Sequence, residues 1–211
     1  MAIFHLSAKI ISRKAGRSST GAAAYRAGEQ VIDERTGEVH DYSRKRGVEH
    51  AEIVMPSATD WRPTRAELWN AAELKNKRAD AQLAREFVIA LPDELSPEDR
   101  KRLALDFAHE IADRYSVAAD VAIHAPSRDG DNRNHHAHIL LTTRRLGPDG
   151  FGEKTRELDD QKTGKVLVTE WRERFAQLQN ERLREPGLDA RVDHRSHAEP
   201  DLDAAPPPHP G

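Results

Sequence analysis

The segment Asn134-His-His-Ala-His-Ile-Leu-Leu141 has the pattern of a buried strand, and it places His136 and His138 two residues apart in an apolar run. Side chains alternate between the two faces of a strand, so both imidazoles would point to the same side of a sheet. His135 has the opposite parity, and we expect it on the other face, in a structural or supporting role. The stretch predicts a strand that carries a pair of candidate metal ligands.

A third histidine, His124, lies in a second strand-like run, residues 117–125. The loop between the two runs is rich in Asp, Gly and Asn, which favour turns, so the runs can form a hairpin. Three imidazoles on neighbouring strands would leave coordination positions open for a substrate oxygen. Such a ligand set accepts Zn, Mn, Ni, Co or Cu. A histidine on a strand is often only structural, and this interpretation stays open.

Strand and helix patterns surround the histidine run and predict the fold class. Strands with one polar face, interspersed with amphipathic helices, indicate an α+β fold with an antiparallel central sheet and helices packed on its faces. We expect a long charged loop at residues 147–166. The predicted strands are 2–12, a short one around Val39, 48–54, 84–91, 117–125 and 135–143, and the predicted helices are 21–29, 65–77, 97–115 and 170–184.

The composition restricts the class of protein. The 211 residues include no cysteine, which excludes disulfides and thiolate metal sites and fits a reducing compartment. No apolar run is long enough to cross a membrane, and His5 and Lys9 interrupt the start of the chain, which makes it a poor signal peptide. The predicted location is the cytoplasm. Residues 1–198 fit one domain, and 199–211 form an acidic, Pro-rich tail that we predict to be disordered.

Charge is distributed unevenly, although the formal net charge is only −3. That net charge argues weakly against nucleic acid as a binding partner, because DNA-binding proteins are often basic. Local clusters of cations suit contacts with phosphate, and an ordinary solvated surface is the alternative. The first cluster lies within residues 9–26 and is followed by no acidic residue before Glu29. The second is Arg44–Arg46, and the third, Arg144 and Arg145, follows the histidine strand. The candidate DNA-binding residues are Lys9, Arg13, Lys14, Arg17, Arg26, Arg144 and Arg145.

Two further residues are candidate catalytic groups. Tyr25 follows three alanines on a predicted helix, whose thin face would let a ligand approach closely. A phenol with a pKa of about 10 is a poor nucleophile unless a cation such as Arg26 or a metal stabilises the phenolate. Glu86 would share a strand face with Val88, an unusual place for a carboxylate, and could support a metal ligand or act as a base. A core tyrosine and a solvated edge-strand glutamate are the structural alternatives.

Across about residues 2–198 the chain resembles the MobA/MobL-type relaxases of conjugative and mobilisable plasmids, which belong to the HUH endonucleases. Several sequence blocks in the right order are far more specific than any one of them. Departures are Val88, where relatives often have a second glutamate, and residues 197–200, where relatives continue with leucine and a Gln-Gly pair. The blocks are Ser19–Arg26, Glu67–Asn70, Ala81–Glu86, Ala90–Pro92, Asp120–His124, Asp131–His138 and Arg191–Ser196.

The resemblance implies site- and strand-specific nicking of DNA at a plasmid origin of transfer. Tyr25 would attack the scissile phosphate, giving a 5′-phosphotyrosyl link and a free 3′-hydroxyl, and Glu86 would assist. His124, His136 and His138 would hold a divalent metal, with Mn or Mg expected in cells and Zn, Ni or Co as alternatives. The implied partners are single-stranded and hairpin origin DNA, accessory relaxosome proteins and a secretion-system coupling protein, without membrane insertion. The 1–198 region would be the relaxase domain, either alone or at the start of a longer protein.

Three other functions are alternatives to this one. A replication initiator or transposase of the HUH group usually has its tyrosine after the histidine motif, and this chain has no tyrosine after His138. If the chain is a non-enzymatic DNA-binding module with a structural histidine–metal site, Tyr25→Phe should leave both DNA binding and any nicking unchanged. A metal-dependent hydrolase of small substrates predicts turnover without a protein–DNA adduct.

Overall fold

An antiparallel sheet of five strands forms the centre of the fold in the computed structural model, which describes residues 3–127 and 130–195. The five strands are β1 (Leu6–Ser12), β4 (Val48–Val54), β5 (Gln82–Ala90), β6 (Ala119–His124) and β7 (His136–Thr142). Every neighbouring pair of strands is antiparallel, in the order β1-β5-β7-β6-β4, so the histidine strand β7 is central.

Helices and two small hairpins complete the described chain. Local sequence explains where the helices begin: Ser18 and Ser96 accept main-chain N–H groups at two N-termini, and Thr64 and Glu67 form a capping box at a third. The helices are α1 (Ser19–Ala27), α2 (Arg65–Lys75), α3 (Pro97–Tyr115), α4 (Arg156–Asp159) and α5 (Gln161–Arg184). The hairpins are β2 (Gln30–Ile32) with β3 (Val39–Asp41) and β8 (Arg144–Gly147) with β9 (Gly150–Lys154).

The two faces of the sheet carry different layers. Ile139 of β7 belongs to the larger core, together with Phe107 of α3 and Phe175 of α5, whose ring centroids are 4.8 Å apart. Leu140, which points to the other face, packs with Trp69 of α2 and with alanines of α1. The fold therefore has three layers, and the predicted α+β class with helices packed on the faces of an antiparallel sheet is confirmed. His136 and His138 share their parity with Leu140, so they lie on the α1/α2 side.

Polar contacts of α2 hold this helix on the sheet and hold α1 against it. Arg65 at the start of α2 donates to Asp120 of β6 at 2.8 and 2.9 Å, and also pairs with Glu29, just beyond α1. At the other end of α1, the carboxylate of Glu73 accepts the N–H and hydroxyl of Ser19 at 2.7 and 2.9 Å. Helix α1, which carries Tyr25, is thus held at both ends.

The predicted loop at residues 147–166 is wrong. A hairpin, β8–β9, and a short helix occupy much of this range, and α5 begins at Gln161 rather than near residue 170. Asp160 caps α5 by accepting two main-chain N–H groups at 2.9 Å. Gly164 is required there, since a Cβ would lie 2.9 Å from the carbonyl oxygen of Leu158. Few residues of this segment are buried, and its many charged residues leave little hydrophobic periodicity from which a strand or a helix could be predicted.

The other predicted elements are present, with ends that differ by a few residues, and β2 is an additional strand. The predicted disordered tail, residues 199–211, lies outside the described residues, so the domain division at 198 stays a prediction. Among the described residues, the helices lack the combination of length and apolarity that crossing a bilayer requires.

Candidate metal centre and active site

Strand register brings the three histidines of β6 and β7 together. His124 lies directly opposite His136, and His138 follows two residues later on the same face. Their ring centroids are 5.3, 4.8 and 5.2 Å apart, and one nitrogen from each ring lies within 4.8 Å of the others. All three side chains are buried. His135, one residue before β7, instead lies 3.3 Å from a carboxylate oxygen of Asp93.

Hydrogen bonds fix the orientation of each imidazole. His124 Nε2 donates to the carbonyl oxygen of Arg26 at 2.7 Å, and His136 Nδ1 donates to that of Asn134 at 3.0 Å. His138 Nδ1 donates to Glu86 Oε1 at 2.6 Å. A neutral imidazole has one donor and one acceptor nitrogen, so the lone pairs belong to His124 Nδ1, His136 Nε2 and His138 Nε2. Metal-binding histidines use their second nitrogen in this way.

Burial keeps His124 and His138 in the neutral form that binds metal. It lowers the pKa of His124 to about 3, with repulsion from His138 and Lys45 contributing. Burial also lowers the pKa of His138, against the opposing effect of the Glu86 carboxylate. Among the described residues, the buried Nε2 of His138 has no hydrogen-bond partner. Such an atom costs roughly 1–3 kcal/mol unless something binds it. A divalent cation would satisfy it, and three neutral imidazoles are a suitable donor set.

Glu86 connects the imidazole cluster to helix α1. Its carboxylate, on β5, accepts from His138 and also from the guanidinium of Arg26, whose Nε and Nη2 lie 2.5 and 2.9 Å from the two oxygens. The Glu86 side chain is 2% exposed and that of Arg26 is 12% exposed. Burial would raise the pKa of Glu86, but hydrogen bonds from His138 and Arg26 outweigh it and hold this pKa well below its usual range. Glu86 is therefore a carboxylate at neutral pH.

Tyr25 lies on α1, immediately before Arg26. Its ring packs edge-on against Tyr42, with centroids 5.1 Å apart, and the ammonium of Lys45 lies 3.6 Å from its centre. Lys45 also donates to the carbonyl oxygen of Tyr25 at 3.0 Å. A cation beside the ring favours negative charge on a phenolate. The sequence places Lys45 in a basic cluster but gives no signal that it contacts Tyr25, twenty positions away.

Three of the candidate DNA-binding residues, Lys9, Lys14 and Arg17, are exposed. Lys9 lies opposite Glu86 in the β1–β5 pair, so its side chain is on the same face of the sheet as the histidines. Arg26, in contrast, is largely buried, and its guanidinium is bound to Glu86. The exposed cations are the ones that a nucleic acid could reach without a rearrangement.

The remaining candidate arginines make internal contacts. Arg13 pairs with Glu73 at 2.6 Å and donates to two main-chain carbonyl oxygens of the segment at the end of α2. Arg144 bonds to an asparagine of that same segment, while Arg145 pairs with Glu157. Both residues follow the end of β7 that lies farthest from the histidines. The structure does not bring them to the imidazole cluster.

Together, the fold and site define an α+β protein whose central antiparallel strands hold three imidazoles beside a tyrosine-bearing helix. The model of the MobA/MobL family matches residues 17–211, and the chain belongs to this family. The resemblance recognised from the sequence blocks is thereby confirmed.

Individual relatives agree with this assignment. "Mobilization protein MobL" of Acidithiobacillus ferridurans is 48% identical over 237 residues, covering all of this chain and 62% of that protein. "Conjugal transfer protein TraA" of Agrobacterium fabrum is 35% identical over 240 residues, covering all of this chain and 21% of that protein. A solved structure described as "Molecular Basis of Vancomycin Resistance Transfer in Staphylococcus aureus" superposes with a TM-score of 0.81 and 30% identity, covering 93% of this chain and all of that chain. The chain thus spans about three fifths of the MobL relative and about a fifth of TraA.

Proposed function

We propose that this chain is a plasmid DNA relaxase domain that nicks one strand at an origin of transfer. The observation that carries the proposal is the link between two of the imidazoles, His124 and His138, and the helix of Tyr25, which runs through Arg26 and Glu86. It joins a candidate nucleophile to a centre suited to neutralising phosphate charge. Membership of the MobA/MobL family supports the same reaction class.

Tyr25 is the proposed nucleophile. Its phenolate oxygen would bond to the scissile phosphorus while the bond from phosphorus to the 3′ oxygen breaks. The phenol loses its proton, and the departing 3′ oxygen gains one, which leaves a 5′-phosphotyrosyl link and a free 3′-hydroxyl. One phosphoester bond replaces another, so attack by the 3′-hydroxyl can rejoin the strand. Lys45, 3.6 Å from the ring centre, would stabilise the phenolate.

His124, His136 and His138 are the residues that would hold a divalent cation. When bound, the ion would supply Lewis-acid stabilisation of charge on the phosphate. Mn or Mg is the ion we expect in cells, and Zn, Ni or Co would also suit the site; an all-imidazole set favours the transition metals over Mg. Glu86 would keep His138 oriented and increase the basicity of its Nε2 through the hydrogen bond at Nδ1.

The proposed substrate is origin DNA with a hairpin and a single-stranded segment beside the nick. Lys9, Lys14 and Arg17 are exposed and would contact its phosphates. Affinity should therefore fall steeply with salt, and removing one such cation should reduce the slope by about one. A flat salt response would contradict phosphate contacts on this surface. Accessory relaxosome proteins, a coupling protein and a cytoplasmic location belong to this proposal.

Incubation with supercoiled plasmid that carries the cognate origin tests the function. We expect a covalent protein–DNA adduct that survives denaturant, requires a divalent metal and disappears in Tyr25→Phe. The control is Tyr115→Phe, since Tyr115 is buried beside Trp171 in the other core and should leave the adduct intact. An adduct that persists in Tyr25→Phe would refute the nucleophile. DNA binding without an adduct would favour a non-enzymatic module, and hydrolysis without an adduct would favour a hydrolase.

A further inference from the structure

Arg26 holds the imidazole cluster at two points. Its carbonyl oxygen accepts the Nε2–H of His124 at 2.7 Å. Its guanidinium donates to both oxygens of Glu86 at 2.5 and 2.9 Å, and Glu86 in turn accepts the Nδ1–H of His138 at 2.6 Å. Two of the three imidazoles are therefore oriented by contacts that pass through one residue, which is the direct chain neighbour of Tyr25.

The end of a helix makes this arrangement available. The last carbonyl groups of an α-helix have no partner within the helix, and α1 is followed by Gly28, whose φ of 66° turns the chain away. The carbonyl oxygens of Tyr25 and Arg26 are instead satisfied by Lys45 and His124, at 3.0 and 2.7 Å. The C-terminal end of helix α1 thus contacts the imidazole cluster through a carbonyl group that the helix itself leaves without a partner.

The side chain adds a geometric constraint. An arginine presents two parallel N–H donors in a fixed plane, which matches the two oxygens of a carboxylate and fixes their relative orientation. Here that pair is buried, so neither partner can leave without exposing an uncompensated charge to the interior. A displacement of α1 would therefore move Glu86, and through it the ring of His138.

We infer that Arg26 is a positioning residue that couples metal binding at the imidazoles to the placement of Tyr25. The meaning of this coupling for cleavage rests on the proposed function, whereas the link between metal and helix does not. A cation on His124 and His138 orders both rings and thereby the last turn of α1. Linkage makes the effect reciprocal, so a correctly seated α1 raises the affinity of the cluster for metal by the same factor.

Metal titration without DNA tests whether Arg26 supports metal binding at the imidazoles. We expect Arg26→Met to weaken Mn²⁺ or Zn²⁺ binding by about 10- to 100-fold, as loss of a supporting contact does at other metal sites. The matched control is Arg174→Met, which breaks an equally bidentate pair with Glu110, at 2.8 and 2.6 Å, between α5 and α3 in the other layer. That control should keep wild-type affinity.

Arg26→Lys covers the case in which Arg26→Met fails to fold, as judged by circular dichroism. Lysine keeps the charge but lacks the planar fork, so an intermediate loss of affinity is expected. The double variant Arg26→Met/Glu86→Gln should bind no more weakly than the worse single variant, because both substitutions break one link. Wild-type metal affinity in folded Arg26→Met, or in Arg26→Lys if only that folds, would overturn the inference.

Hydrogen exchange of the full chain tests the coupling to α1. Addition of Mn²⁺ or Zn²⁺ should slow amide exchange in peptides that cover residues 22–28, and the effect should shrink in Arg26→Met. Tyr25→Phe should retain both the affinity and the protection, so a failed nucleophile assignment leaves this result untouched. Unchanged exchange of α1 on metal binding in the wild type would overturn the coupling even if the protein nicks DNA.

Discussion

Glu86→Gln is the substitution whose consequences follow most directly from the contacts of the site. Glutamine has the same size and keeps one acceptor oxygen, but it lacks the charge. The guanidinium of Arg26 would stay buried without its counter-ion, and the bond from His138 Nδ1 would lose its charge assistance. Both the stability of the fold and the orientation of a metal ligand should suffer.

The size of the effect can be estimated from burial, since the two side chains are only 2% and 12% exposed. Breaking a buried ion pair by removing one partner costs about 3–5 kcal/mol, and we expect the lower end because neutral hydrogen bonds persist. A loss of about 3 kcal/mol corresponds to a fall in Tm of roughly 6–12 °C for a chain of this length. Metal affinity should fall by about 10- to 100-fold.

Thermal unfolding followed by circular dichroism, with and without Mn²⁺, measures both effects. Glu110→Gln is the matched control, since Glu110 pairs with Arg174 but is 35% exposed, and such a pair contributes less than about 1 kcal/mol. If Glu86→Gln melts within about 2 °C of the wild type and gains as much stability from metal, the ion pair neither stabilises the fold nor orients His138.

Three further outcomes are expected. Gly164→Ala should lower Tm by a few degrees, because its Cβ would lie 2.9 Å from a main-chain oxygen and overpacking costs about 1–3 kcal/mol. Burial would raise the pKa of Asp33, but hydrogen bonds from a hydroxyl and from main-chain amides outweigh it and lower that pKa. The carboxylate therefore stabilises the fold above its unfolded pKa of about 3.9, and the advantage over Asp33→Asn in urea unfolding should shrink as the pH falls below that value. Lys45→Met should slow formation of the Tyr25 adduct by about tenfold, whereas Arg46→Met, in the same basic cluster but exposed, should not.

The central part of the site was predictable from the sequence because strand geometry is regular. A period of two places His136 and His138 on one face whatever the surrounding fold, and a turn-rich loop makes the hairpin with His124 a short-range event. The helix starts were predictable for a similar reason, since capping residues such as Thr64 and Ser96 act within one turn.

The contacts that connect the site to the rest of the molecule were not predictable in the same way. The pairing of Arg26 with Glu86 joins residues sixty positions apart, and it depends on how α1 packs on the sheet. The sequence suggests Arg26 as a cation for phosphate or phenolate. In the structure the Arg26 guanidinium lies 5.9 Å from the centre of the Tyr25 ring and is bound to Glu86, whereas the ammonium of Lys45 lies closer, at 3.6 Å. The sequence does not predict the start of α5, because residues 161–166 are mostly polar and exposed, which leaves little apolar periodicity to recognise.

Mass spectrometry of the protein–DNA adduct can identify the residue that attacks the scissile phosphate, which we propose to be Tyr25. A single-stranded oligonucleotide spanning the nick site would be incubated with the protein and Mn²⁺, digested with trypsin and nuclease, and the modified peptide sequenced. We expect a nucleotide 5′-phosphate on Tyr25, absent after chelation and absent in a His136→Ala/His138→Ala variant that remains folded. A modification on Tyr42, or cleavage that leaves no modified peptide, would contradict it.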